Sequence, residues 1–92
     1  MNEKHIEKIK AVLNEWNPLG ERANQISDLD EYNTEAVDIL FHINTEINFK
    51  KTKEPQIRIR SIVKEVLNQA FGLWLTDKDC DDPSSTIYKI LN

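Results

Sequence analysis

The chain is 92 residues long, 39% apolar and 30% charged, with only two glycines and three prolines, one cysteine and a formal net charge of −4. This length allows one domain with one small core, and ample apolar residues with few turn residues argue for a helical domain over a sandwich or a disordered tail. One cysteine excludes an internal disulfide, no apolar run approaches the roughly 18–20 residues of a membrane span, and the start Met1-Asn2-Glu3-Lys4-His5 lacks the apolar stretch of a secretory signal, so the expectation is a cytoplasmic protein of one domain, residues 1–92.

Ile6, Ile9, Val12, Leu13 and Trp16 recur at helical spacing with charged residues opposite, which predicts a first helix over about residues 2–16. His5 falls on the same stripe, where it closes the edge of the core. Pro18 disfavours helical geometry at Asn17 and stops the helix where Trp16 can fold under the next segment, so Trp16 is expected to be a core anchor. Residues 17–33 then form a long connection rich in Pro, Gly, Asn, Ser and Asp. Structureless loops beyond about 12–15 residues are uncommon in small domains. This one is expected to be pinned by Leu19, Ile26, Leu29 and Tyr32, with room for one helical turn around residues 21–27.

A second helix begins with Asn33 or Thr34 as N-cap and Glu35 in its first turn, where a carboxylate complements the helix dipole. Ala36, Ile39, Leu40, Ile43 and Ile47 make its core stripe, and Glu35, Asp38, His42 and Glu46 read as the opposite, polar face. Residues 50–54 are a short basic linker, and Pro55 suits the first position of a third helix. In that helix Ile59, Ile62, Val63, Val66, Leu67, Ala70, Phe71 and Trp74 keep the 3.6-residue period, making it the expected central packing element. Asp82-Pro83-Ser84 reads as N-cap, first-position proline and start of a short last helix with Ile87, Ile90 and Leu91 on its apolar face. The expected fold is an all-α bundle of three main helices plus a short C-terminal helix, packed around the third.

The stretches Trp16-Asn17-Pro18-Leu19 and Tyr32-x-x-Glu35-x-x-Asp38-Ile39, with the amphipathic third helix ending near Phe71 and the closing Cys80 to Leu91 segment, resemble the YugE-like family of small all-helical bacterial proteins without an established function. The resemblance implies a fold and no activity. Family members often carry Asp where this chain has Asn17, which puts in doubt any role that needs a carboxylate there. A related pattern occurs in other small bacterial proteins, some of which look like partners of toxins.

Glu35, Asp38, His42 and Glu46 are spaced to share one helix face, the residue types of a carboxylate-histidine metal site or an acid-base pair, but one helix rarely supplies enough ligands. A solvated polar face is the simpler reading, and no metal or cofactor is expected. Asp77, Asp79 and Asp81 match the first, third and fifth positions of a calcium loop, yet Asp82 stands where Gly is needed and Tyr88 where a bidentate Glu is needed. Cys80 has acidic neighbours, which raise a thiol pKa and make a poor nucleophile. Phosphate-binding loops, nucleophile elbows and paired-cysteine or zinc-protease motifs are missing from the sequence.

Charge is uneven along the chain. Residues 21–46 carry one Arg against seven Asp/Glu, or −6, and residues 47–64 carry six Lys/Arg against Glu54, or +5. Such blocks steer a partner or attract one another within the fold. The basic set Lys50, Lys51, Lys53, Arg58, Arg60 and Lys64 lacks interleaved aromatics and belongs to an acidic chain, so nucleic-acid binding ranks third. The favoured expectation is a protein-binding or regulatory module, of the toxin-neutralising kind among others, with Asp28, Asp30, Glu31, Glu35 and Asp38 facing a basic partner protein and no membrane involved. The alternative is a metal-dependent enzyme using the Glu35, Asp38 and His42 face.

Overall fold

Helix α1 spans Glu3–Trp16 and starts where Asn2 Oδ1 accepts hydrogen bonds from the backbone N–H groups of Lys4 and His5, at 2.9 and 3.3 Å. The structure is a computed structural model and describes residues 2–92. Asn17 ends α1 in the left-handed region (φ 48), a conformation that Asn tolerates better than most residues, and its N–H donates to the Leu13 carbonyl. Two 3-10 segments, Gly20–Gln25 and Asp30–Tyr32, fill the connection to α2, Asn33–Glu46. The expected helical turn and the pinning are both there: Leu19 and Tyr32 are buried, and Ile26 and Leu29 pack against the core. Helix α2 has no side-chain cap, since Tyr32, and not Asn33 or Thr34, occupies the N-cap position.

Helix α3 covers Pro55–Phe71, with Pro55 in the first turn as the sequence implies. It ends because Gly72 takes a left-handed conformation (φ 62), and Leu73 N–H donates to the Asn68 carbonyl at 3.2 Å. Trp74 therefore does not close the apolar stripe. It lies in the α3–α4 connection and is 94% exposed, which corrects its assignment to the core.

The last helix is not short. Helix α4 runs Asp77–Leu91, 15 residues against 14 in α1 and α2, because its start is a capping box that begins at Thr76, seven residues before Pro83: Asp79 N–H donates to Thr76 Oγ1, and Thr76 N–H donates to Asp79 Oδ2. Pro83 falls inside the helix, where a proline costs about 3 kcal/mol. Offsetting this, Cys80, Pro83, Ser84 and Ile87 form a continuous buried stripe.

The fold is all-α, and no strand occurs among the described residues. Helix α1 packs on α2 and α4, and α3 packs on the same two, so the helices form a ring in which α1 and α3 are one diagonal. The third helix is thus one wall of four and not the centre. Inter-helix pairs set the directions. Arg58 near the start of α3 meets Glu46 at the end of α2, while Arg60 and Lys64 meet Asp81 and Asp77 in reverse order, so both neighbours run antiparallel to α3. Inside the ring lie Ile9 and Leu13, Ala36, Ile39, Leu40 and Ile43, Ile59, Val63 and Leu67, and Cys80 and Ile87, all fully buried. Trp16 is only partly buried and lines a shallow groove between α1 and α4 with Pro83, so it borders the core without anchoring it. No helix among the described residues is long and apolar enough to cross a membrane.

Candidate functional site

Asp30, Glu31 and Tyr32 have φ values of 47, 54 and 66, making three successive non-glycine residues in the left-handed region. Each costs roughly 1–2 kcal/mol relative to a right-handed conformation. What holds the turn is Tyr32, whose ring is 1% exposed and meets Phe71 edge-on at 6.1 Å between centroids. Its hydroxyl donates to Asn17 Oδ1 at 2.6 Å and accepts from Leu19 N–H at 3.3 Å, and burial raises its pKa. The Asn17 amide meanwhile donates to the Gly20 carbonyl at 3.2 Å, a bond that Asp could not make. The Trp-Asn-Pro-Leu and Tyr-x-x-Glu stretches are therefore two halves of one lock, and its working group at residue 17 is an amide.

The lock sets out the acidic residues. Asp28, Asp30, Glu31 and Asp38 are exposed. Asp30 lies 3.9 Å from Lys10 Nζ, and Glu31 accepts from Asn14 Nδ2 at 3.1 Å, so both sit beside the C-terminal half of α1. Glu35 departs from this group. It is only 8% exposed, and its Oε1 has no hydrogen-bond partner, so it cannot face a partner protein. The physical reason is register: Glu35 lies one turn before Ile39 and two before Ile43, on the buried stripe and not opposite it. Burial pushes its carboxyl pKa up, and the charges of Asp38 and Asp28 add to that.

The supposed metal face is broken by the same burial. His42 Nδ1 donates to Glu46 Oε2 at 3.0 Å, and Glu46 also accepts from Arg58 Nη2 at 3.0 Å, so two of the four residues are tied to each other and to α3. No group of three or more His, Cys, Asp or Glu among the described residues is arranged to hold a metal ion. The three aspartates of the would-be calcium loop diverge on α4. Asp77 meets Lys64 at 2.7 Å and Asp81 meets Arg60 at 2.9 Å, while Asp79 is spent on the capping box. Lys64 holds the Asp77 carboxyl below its usual range, and the Thr76 N–H does the same for Asp79. Buried Cys80 has its thiol pushed up to about 11 by burial and then by Asp79, which leaves it unreactive at neutral pH.

These pairs also answer the question of the charge blocks. Arg58, Arg60 and Lys64 are engaged within the fold, and of the basic segment Lys50, Lys51 and Lys53 remain exposed. Sequence reasoning missed Trp74 as a surface aromatic, although Gly72 two residues earlier is the signal for a helix stop. Comparison with protein families, with curated proteins and with solved structures finds no match to this chain.

Proposed function

We propose that this protein is a small cytoplasmic binding module whose acidic edge, Asp28, Asp30, Glu31 and Asp38, receives a basic partner protein, as a regulator or toxin-neutralising partner does. Kinship with the YugE-like family belongs to the same proposal. What carries the reading is the left-handed turn at Asp30-Glu31-Tyr32, because strained backbone persists only where its surroundings over-determine it, and such places concentrate at binding and switch sites. Here the strain holds two carboxylates outward on a rigid base. Glycine at these positions would relieve the strain but would remove the charges.

Exposed carboxylates act chiefly by speeding encounter with a positive surface, an effect that fades as salt screens beyond about 8 Å. Reversing both charges, Asp30→Lys with Glu31→Lys, is expected to slow association about tenfold at low salt and to flatten its dependence on ionic strength. Stability should stay within about 2 kcal/mol of the parent, since Asp30 and Glu31 are themselves exposed, and the main cost is the new cation at residue 30 beside Lys10, whose side chain is 15% exposed. The measurement is affinity capture with the two proteins, followed by association kinetics with whatever the parent recovers. Equal recovery and equal rates would show that this edge only solubilises the protein.

A further inference from the structure

At the end of the bundle opposite the acidic turn, a cleft of about 340 Å³ opens between the start of α3 and the middle of α4. Three buried side-chain polar atoms lack a hydrogen-bond partner among the described residues, and two of them, Arg60 Nε and Ser84 Oγ, belong to residues lining this cleft. Both are donors. Buried donors are nearly always paired, so two without an acceptor in one place mark a position where an acceptor group is missing. Ser84 is 1% exposed, so bulk solvent does not reach it.

The third donor is the helix itself. Glu54, in the left-handed region (φ 56), gives α3 no side-chain cap; Pro55 has no N–H and the Ile57 N–H donates to the Glu54 carbonyl at 3.1 Å, which leaves the Gln56 N–H as the free donor at the positive end of α3, beside the same cleft. These features call for an anion. Glu54 and Asp81 also line the cleft, however, and Asp81 already accepts from Arg60 Nη1 at 2.9 Å. A phosphate dianion would meet both carboxylates, whereas a carboxylate that brings its own ammonium group would be complementary to them. Ile57, 43% exposed, supplies an apolar wall.

We propose that this cleft binds a small apolar α-amino acid as its zwitterion. The ligand carboxylate accepts from Arg60, Ser84 and the α3 N-terminus, the ammonium donates to Glu54 and Asp81, and the side chain covers Ile57. Arg60 Nε and Ser84 Oγ are shielded from solvent in the free protein, so binding requires side chains at the mouth to move: Asp81, more than half exposed and bonded to Arg60 Nη1, turns to the ammonium and yields its place to the ligand carboxylate, while Asp77 stays 3.8 Å from Arg60 Nη2.

Amide-resolved NMR titration of the full chain with leucine, leucinamide, N-acetyl-leucine and inorganic phosphate tests this. Leucine is expected to give saturable shifts centred on Gln56, Ile57 and Ser84, with leucinamide and N-acetyl-leucine at least about tenfold weaker, since each lacks one of the two charges. Ser84→Ala removes an unpaired hydroxyl, so it should fold at least as stably as the parent and yet bind leucine about tenfold more weakly. Ile57→Lys, at an exposed position, should weaken leucine binding through charge against the ammonium. The proposal is overturned by tighter saturation with phosphate than with leucine, by unchanged leucine affinity in Ser84→Ala, or by no saturable shift up to about 10 mM leucine.

Discussion

Tyr32→Ala is expected to lower stability by about 3–5 kcal/mol, the range for a fully buried aromatic truncated to alanine. That is a large share of the roughly 5–15 kcal/mol a domain of this size has. The substitution removes the ring from its edge-on contact with Phe71, strips Asn17 and Leu19 of their phenol partner, and leaves a strained turn with no anchor. Tyr32→Phe separates the contributions. It keeps the ring and loses the hydroxyl, so the expected loss is about 1–2 kcal/mol, that of a hydrogen-bonding group whose buried partners are left unmatched. Urea unfolding of the three proteins gives both numbers. If the alanine variant lost less than about 1 kcal/mol, the turn would be held by something other than Tyr32. Trp16→Ala should cost less than Tyr32→Ala in the same experiment, since Trp16 is only partly buried.

Glu35→Met works in the other direction, with an expected gain of about 1–3 kcal/mol at pH 7, because a buried oxygen without a partner gives way to an apolar group of similar shape. The pH dependence follows from the raised carboxyl pKa. The unfolded chain releases this proton in the ordinary range near 4.5, whereas the folded chain holds it to higher pH. Between the two values the folded state binds more protons, so stability falls as pH rises through that interval and is level above it. Asp77 and Asp79 have lowered pKa values, and their contribution is lost in the opposite sense, as pH falls below the ordinary carboxylate range. Subtracting the Glu35→Met curve from that of the parent isolates the first effect. A difference that is flat with pH, or a variant less stable than the parent at pH 7, would mean that the Glu35 carboxylate is well accommodated.

The helices themselves were legible because periodicity reports a buried face directly, and the core residues of α1, α2 and the first four turns of α3 fall where their spacing puts them. Ends were less so. Asp82-Pro83 has the composition of a helix start, and only the reciprocal Thr76–Asp79 bonds show that the helix is already under way. Gly72 could have been read as a stop, but the apolar Leu73-Trp74-Leu75 run continues the pattern past it. The acidic edge was legible as a charge block, and the placement of Glu35 was not, because a carboxylate in a first turn suits the helix dipole whether it faces water or the core. Least visible was the Asn17–Tyr32 bond, which joins residues 15 apart through a left-handed turn that nothing in the residue types of Asp30 and Glu31 demands.

The ring of helices has a consequence for the order of assembly. Three of its four seams join consecutive helices, so most native contacts close short stretches of chain, and folding should be rapid, in the microsecond to millisecond range of helical bundles. The α1–α4 seam alone brings together the far ends of the sequence and carries the largest loop-closure entropy. It is expected to form last, after the transition state. A truncation along it, such as Val12→Ala, should then accelerate unfolding while leaving the refolding rate nearly unchanged, and a matching slowdown of refolding in stopped-flow measurements would instead put that seam in the nucleus.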